Sequence, residues 1–413
     1  MRFMLALMAM LALAPLSFAA DPTPDYFFQP KDRIVFLGDS ITEQYQYSTY
    51  VELYLTGRFP KADFFFLNAG IGGDTAQGGA NRFKSQVLAE KPNKVTINFG
   101  MNDGGYGKFN PEANKRFVER TRDMLRMAKE AGVQVALMSP NAVDPRNKSN
   151  GAEYVETQKT FYAPLAGVAK EFAYPFVDQY AVTRAAQDRM ALDDPKAEKA
   201  KPYYDGFHTS PPGAMLMAHA ILTGLRSPAL VSDAAIDASG AKAEGRQCAI
   251  SDLKASAEGV AFTRLDEALP WPMHKDWLPM LPYTNQLKDL NWYGLKVGGL
   301  KDGTYAVKID GEEVGKFSAA QLAEGVNLGN VTAGGVWKHG QELFQAIEAK
   351  NRIVHGRFRG VHLANIPDWL ADIGRERKPA ELEKRMAQIT EAQARVNKLA
   401  QPRPHAFEVA PAN

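Results

Sequence analysis

One cysteine, Cys248, is all that 413 residues hold, so the chain can form no intramolecular disulfide. Its position far from the N-terminus also rules it out as a lipoprotein cysteine. Seven histidines are present without an HExxH pair or similar ligand spacing, so neither a metal nor any other cofactor is expected. Charge of one sign is lacking as well. Forty-nine lysines and arginines against 47 aspartates and glutamates leave a formal charge of +2, too little to argue for a nucleic-acid partner. The glycine-rich stretch "NAGIGGDTAQGG" lacks the lysine of a phosphate-binding loop and the spacing of a dinucleotide fingerprint.

Long apolar runs are confined to the start of the chain. Arg2 precedes an apolar stretch, Phe3 to Leu13, too short to span a bilayer comfortably, and "LSFAAD" ends it in small residues. This is the pattern of a signal peptide over residues 1–20, cut after Ala19 or Ala20. It predicts an exported, periplasmic or secreted protein with no stable membrane insertion after cleavage.

With 45% hydrophobic and 23% charged residues, the chain has a globular composition, and its length suggests two or three domains. Between Arg33 and Arg226, short apolar runs alternate with amphipathic stretches. Strands are expected at Ile34 to Leu37, Asp63 to Leu67, Val95 to Phe99, Val133 to Met138 and Pro175 to Val177. Helices are expected at Tyr50 to Arg58, Gly79 to Glu90, Glu112 to Ala131, Val155 to Glu171 and Gly213 to Leu225. Strands without polar alternation imply a parallel sheet covered on both faces, and such a sheet binds ligands beyond the carboxyl ends of its strands.

Four segments with chemistry in them fall near such ends or late in the region. "FLGDSIT" places Ser40 just past the first strand, and "NAGIGGDT" follows the second with glycines that can bring backbone N–H groups close to a ligand. "GMND" puts Asn102 after the third, and "DGFH" sets Asp205 three residues before His208. A hydrolytic serine needs a base, a carboxylate to orient the base and donors for a developing oxyanion. Taken singly, each segment has a plainer reading: Gly-Asp-Ser as a cap or turn, the glycines as a turn, Asn-Asp as a turn, and Asp-x-x-His as a surface pair or half a metal site. Asp39, Asp74, Asp103 and Asp205 could also furnish a carboxylate pair for glycoside hydrolysis, although the sequence does not fix the separation that chemistry requires.

Jointly and in this order, the four segments resemble the sequence blocks of the GDSL or SGNH hydrolase family, over about Asp32 to Arg226. The resemblance implies a three-layer α/β/α sandwich with a five-stranded parallel sheet, and esterase, lipase or carbohydrate acetylesterase activity. Carried over block by block, it implies Ser40 as nucleophile, His208 as base and Asp205 as its partner. The oxyanion hole would comprise the N–H groups of Ser40 and Gly73 and the side-chain amide of Asn102. One departure stands out: the family usually has proline soon after the histidine, often directly following it, whereas Thr209 and Ser210 come before Pro211 here. The function expected is that of an exported serine esterase that deacetylates a carbohydrate, its substrate an acylated small molecule or polysaccharide. A lipid or thioester hydrolase and a glycan-binding pseudoenzyme are the alternatives.

Beyond Arg226 the texture changes. "SPALVSDAAIDASGAKAEG" has the composition of a linker, and the segments after it alternate apolar and polar residues between Asp-Gly turns. The expected organisation is a hydrolase domain over 21–230, a small β-rich module over 231–330 with Trp271, Trp277 and Trp292 mostly in its core, and a helical C-terminal region over 331–413. That region closes in "QPRPHAFEVAPAN", expected as a loose tail. Since all four blocks precede Arg226, a fragment ending in the linker is expected to keep activity on a small ester.

Overall fold

Five apolar runs pair side by side because none has a polar face to give to water, and the resulting sheet must be covered on both sides. In the computed structural model, which describes residues 22–23, 25–147 and 152–412, these runs are β1 (Arg33–Gly38), β2 (Phe65–Gly70), β3 (Lys94–Asn98), β4 (Gln134–Met138) and β5 (Phe176–Val177). All are parallel, in the order β2-β1-β3-β4-β5. The leader expected over residues 1–20 lies outside the described residues. No helix among the described residues is long and apolar enough to cross a membrane.

Helices fill both faces: α1 (Ser40–Glu43), α2 (Gln46–Arg58), α3 (Ala76–Arg82), α4 (Pro111–Glu130), α5 (Ala152–Tyr162), α6 (Leu165–Glu171), α7 (Gln179–Asp193) and α8 (Pro211–Gly224). The single helix expected over Gly79 to Glu90 begins earlier, as α3, and from Phe83 onward changes to a wider turn and then a tighter one. The helix expected over Val155 to Glu171 is two, α5 and α6, since Pro164 has no N–H to continue the ladder. The most apolar helix, α8, has every residue from Pro212 to Leu222 buried between its neighbours.

Gly38, Gly70 and Asn98 share one level in the pairing register, so the ends of β1, β2 and β3 form a shelf. The one-turn helix α1 is pressed onto it. A Cβ on Gly38 would lie 2.1 Å from the Thr42 hydroxyl, and one on Gly70 would lie 2.3 Å from the Glu43 nitrogen. Only glycine permits that approach.

The segment after Arg226 is no linker. It forms β6 (Leu230–Asp237) and β7 (Lys242–Arg246), followed by β8 (Cys248–Ser256) and β9 (Gly259–Asp266). After a helical stretch come α9 (Gln286–Leu290), β10 (Trp292–Gly298), β11 (Thr304–Ile309), β12 (Glu312–Ser318), α10 (Ala319–Glu324) and β13 (Val326–Asn327). The chain then forms α11 (Gly334–Arg357), α12 (Ala371–Leu399) and β14 (His405–Pro411). Two sheets result, β13-β10-β6-β7 and β12-β11-β14-β9-β8. The tail expected to be loose is therefore the middle strand of its sheet. Phe407 and Val409 alternate inward there, and Asp310 accepts from His405 Nδ1 at 2.7 Å and from the Ala406 N–H at 2.8 Å.

Nor do the C-terminal helices stand apart from the hydrolase-like part. Leu343, Ile347, Val354, Ile389 and Val396 join one continuous core with the parallel sheet and α2. Trp271 and Trp277 join it too, edge-on to Tyr54 and Tyr50. At the α2–α11 contact, Lys350 is ion-paired with Glu52, both fully buried, and Asn351 donates to Glu52 at 3.1 Å. A fragment ending after Arg226 would strip this cover and leave Glu52 a buried carboxylate without its cation. It is therefore expected to aggregate, contrary to the independence suggested by the sequence.

Lys350→Met tests the same contact in the full chain. Removing one member of a buried pair typically costs about 3–5 kcal/mol, whereas replacing both with apolar residues is often neutral. Urea unfolding should place Lys350→Met well below the parent and Glu52→Leu/Lys350→Met much closer to it. Equal stability of the parent and Lys350→Met would show that the helices merely rest on the domain.

Candidate active site

Asp39 is the N-cap of α1, its carboxylate accepting from the Ile41 N–H at 3.0 Å. Ser40, as the first residue of that helix, has an N–H with no acceptor in its own helix, in the positive field of the helix start. Its hydroxyl lies 2.8 Å from His208 Nε2, and His208 Nδ1 lies 2.6 Å from Asp205 Oδ2. The loop before α8 folds tightly enough to make the second contact because the other Asp205 oxygen accepts the N–H groups of Phe207 at 3.2 Å and His208 at 2.8 Å. Gly206, at φ 105°, sits in the backbone region only glycine enters freely.

Burial alone would raise the Asp205 carboxyl, but hydrogen bonds from the His208 ring and from two backbone N–H groups outweigh it and hold the group below the ordinary carboxylate range. An ionised Asp205 requires the proton on Nδ1, which leaves Nε2 as an acceptor for the Ser40 hydroxyl. The arrangement can remove a proton from Ser40 Oγ and return it to a leaving group.

Gly73 projects from the loop after β2 at φ 74°, exposed, with nothing within 4 Å of the place a Cβ would take. Its N–H has no partner among the described residues. Asn102 is braced rather than free. One Nδ2 hydrogen is donated to the Asp74 carbonyl at 2.8 Å, while Oδ1 accepts from Tyr106 at 2.7 Å. A primary amide has two hydrogens, so one donor remains.

The other carboxylates considered for glycoside chemistry are committed to structure. Asp74 is paired with Arg82 at 2.8 Å, and Asp103 accepts from Ala76 and Gly100, tying the loops after β2 and β3 together. Burial is the main cause raising both Asp39 and Asp103 to about 7, with neighbouring carboxylates adding to it.

Several site residues escaped sequence reasoning. Gln44 accepts from the Thr209 N–H at 3.1 Å and hydroxyl at 3.0 Å and donates to the Thr209 carbonyl at 3.2 Å. Proline at 209 could not donate that N–H, so the departure after His208 coincides with a clamp that needs it. Gln44 lies four residues after Ser40, the spacing that puts two residues on one helix face, and that signal was available. Tyr106, against Phe207 at 4.8 Å, and Tyr204, stacked on the His208 ring at 5.8 Å, gave none.

Residues 36–216 match the GDSL-like Lipase/Acylhydrolase family. The arylesterase of Vibrio mimicus is 28% identical over 188 residues, covering 43% of this chain and 87% of that protein. Esterase TesA of Pseudomonas aeruginosa is 32% identical over 114 residues, 28% of this chain and 53% of that protein, so the chain spans about half its length. The solved structure of BT4096, a gut microbial diltiazem-metabolizing enzyme, shares the fold with a TM-score of 0.79 at 22% identity, covering 96% of this chain and 100% of that one. That likeness takes in the later sheets and helices as well as the parallel sheet.

A pH prediction follows from Asp39. Its pKa rises from an ordinary 3.8 to about 7 on folding, so the folded chain binds more protons and stability falls as pH rises through that window. Asn at this position keeps an N-cap acceptor and carries no charge. Asp39→Asn should therefore flatten the decline in melting temperature between about pH 4 and pH 7, and a profile parallel to the parent's would mean Asp39 ionises normally.

Proposed function

Because residues 36–216 are a GDSL-like lipase/acylhydrolase domain and the chain a carboxylic ester hydrolase, we propose that Ser40, His208 and Asp205 are its catalytic triad. The hydrogen-bonded chain from Ser40 Oγ through His208 to Asp205 carries this reading. In the first half-reaction, His208 Nε2 takes the Ser40 proton as Oγ bonds to the ester carbonyl carbon. The resulting oxyanion accepts from the N–H groups of Ser40 and Gly73 and from the Asn102 amide. Collapse breaks the bond to the alcohol, which leaves with the proton from His208. Water then attacks the acyl-serine with His208 as base, releasing the acid and restoring Ser40.

The substrate proposed is a short acyl ester, an acetate, of a carbohydrate. The hollow beside Asn102, about 240 Å3 and lined by Thr75, Gln77, Arg116 and Phe117 among others, is small and of mixed polarity, which suits an acetyl group better than a fatty chain. Export of the protein, which would bring it to acylated polysaccharides, is supported by the leader-like composition of residues 1–20.

Ser40→Ala should abolish ester hydrolysis with a melting temperature close to the parent's, and retained turnover would eliminate the triad. Asn102→Ala should lower kcat roughly 10²–10³-fold, about 2.7–4 kcal/mol, with little change in KM, because the amide acts on charge that exists only in the transition state. Steady-state kinetics and thermal melts on one preparation distinguish this from a brace. Near-normal kcat with a strongly lowered melting temperature would leave Asn102 holding only Asp74 and Tyr106.

A further inference from the structure

A cavity of about 470 Å3 lies between α2 and α11, outside the residues assigned to catalysis. Neither Ser40 nor His208 lines it, but residues near both do or are held by ones that do. Its rim includes Gln44, which clamps Thr209 next to His208, and Glu43, which accepts the Gly72 N–H next to Gly73. Glu43 is the last residue of α1 and Gln44 its C-cap, three and four positions after Ser40, about 4.5–6 Å along the helix axis. A molecule held in the cavity therefore reaches the nucleophile past the rim of one helical turn.

The lining has a definite chemistry. Gln46 Oε1 is buried with no hydrogen-bond partner, an acceptor that lacks a donor. Across from it on α11, Glu348 and Arg352 are exposed and make no ion pair or hydrogen bond among the described residues. Between them, the rings of Tyr50 and Phe344 lie 5.8 Å apart and tilted by 35°. A hydrocarbon chain here would desolvate an amide oxygen, a carboxylate and a guanidinium and satisfy none of them. A molecule with several hydroxyls can donate to the first two, accept from the third and lay its C–H face on the rings.

We infer that the α2–α11 cavity binds the polyhydroxylated alcohol portion of the ester, so that α11, far from the four catalytic segments in sequence, sets the range of alcohols accepted. The inference rests on Ser40 being the esterase nucleophile. It assigns the acyl group to the hollow by Asn102 and the alcohol to the cavity between α2 and α11.

Full-length parent and Glu348→Ala/Arg352→Ala are compared on monoacetylated cellobiose, p-nitrophenyl acetate and p-nitrophenyl octanoate. Both substituted side chains are exposed, so the variant should melt with the parent. The readout is the kcat/KM for acetylated cellobiose divided by that for p-nitrophenyl acetate, expected to fall at least tenfold and chiefly through KM. Gln46→Leu should lower the same ratio. A parent active on the aryl acetate but inert toward acetylated cellobiose, or a ratio unchanged in both variants, overturns the inference alone. So does a change confined to the octanoate-to-acetate ratio, which would put the acyl chain in the cavity. A parent inert toward all three esters overturns the esterase reading and this inference with it.

Discussion

Two groups 168 residues apart in sequence can stay 2.8 Å apart only if each is fixed to the same rigid edge, and here that edge is the carboxyl end of β1 and its neighbours. The geometry depends on how closely α1 can sit on that edge. With side chains at Gly38 or Gly70, α1 would lift off, Ser40 would move with it, and the loop carrying His208 would lose the Gln44 contacts that hold it. The remaining loops are tied to the same shelf. Asp103 links the loops after β2 and β3, and Arg82 joins Asp74 to the carbonyl of Gly38.

The parallel sheet and the residues that the structure brings together, Ser40, His208 and Asp205, were legible because both leave local traces. Unbroken apolar runs mark strands with two covered faces, and Ser40, Asn102, Asp205 and His208 occur in short segments whose spacing is itself chemical. The second half of the chain was less legible for a physical reason. β6 is rich in Ala, Ser and Asp, which read as loop from their own propensities. It is a strand because Val231, Ala234 and Ile236 pack against β9 and β10 residues supplied later in the chain. Likewise, β14 carries two prolines before it and an acidic residue within it, and only pairing with β9 and β11 makes it regular. Tertiary contact overrode local preference in both.

Within the site, the same division holds. The residues proposed to react stand in short segments, and those that hold them do not, since Tyr106, Arg82 and Tyr204 act through contacts no short segment contains. The carboxylates around them show why residue type alone misleads. Asp39, Asp74 and Asp103 lie in the three strand-end segments that made the case for a catalytic serine, yet each is spent on a backbone N–H or an arginine.

The place of β14 bears on how the molecule comes into being. Its sheet has β9 on one side and β11 on the other, and both leave the ribosome long before residues 405–411 do. Until then each presents a row of unpaired backbone groups, the kind of edge to which another chain can add. During synthesis this sheet therefore waits as two open halves, and the segment that joins them also shields them from neighbouring chains.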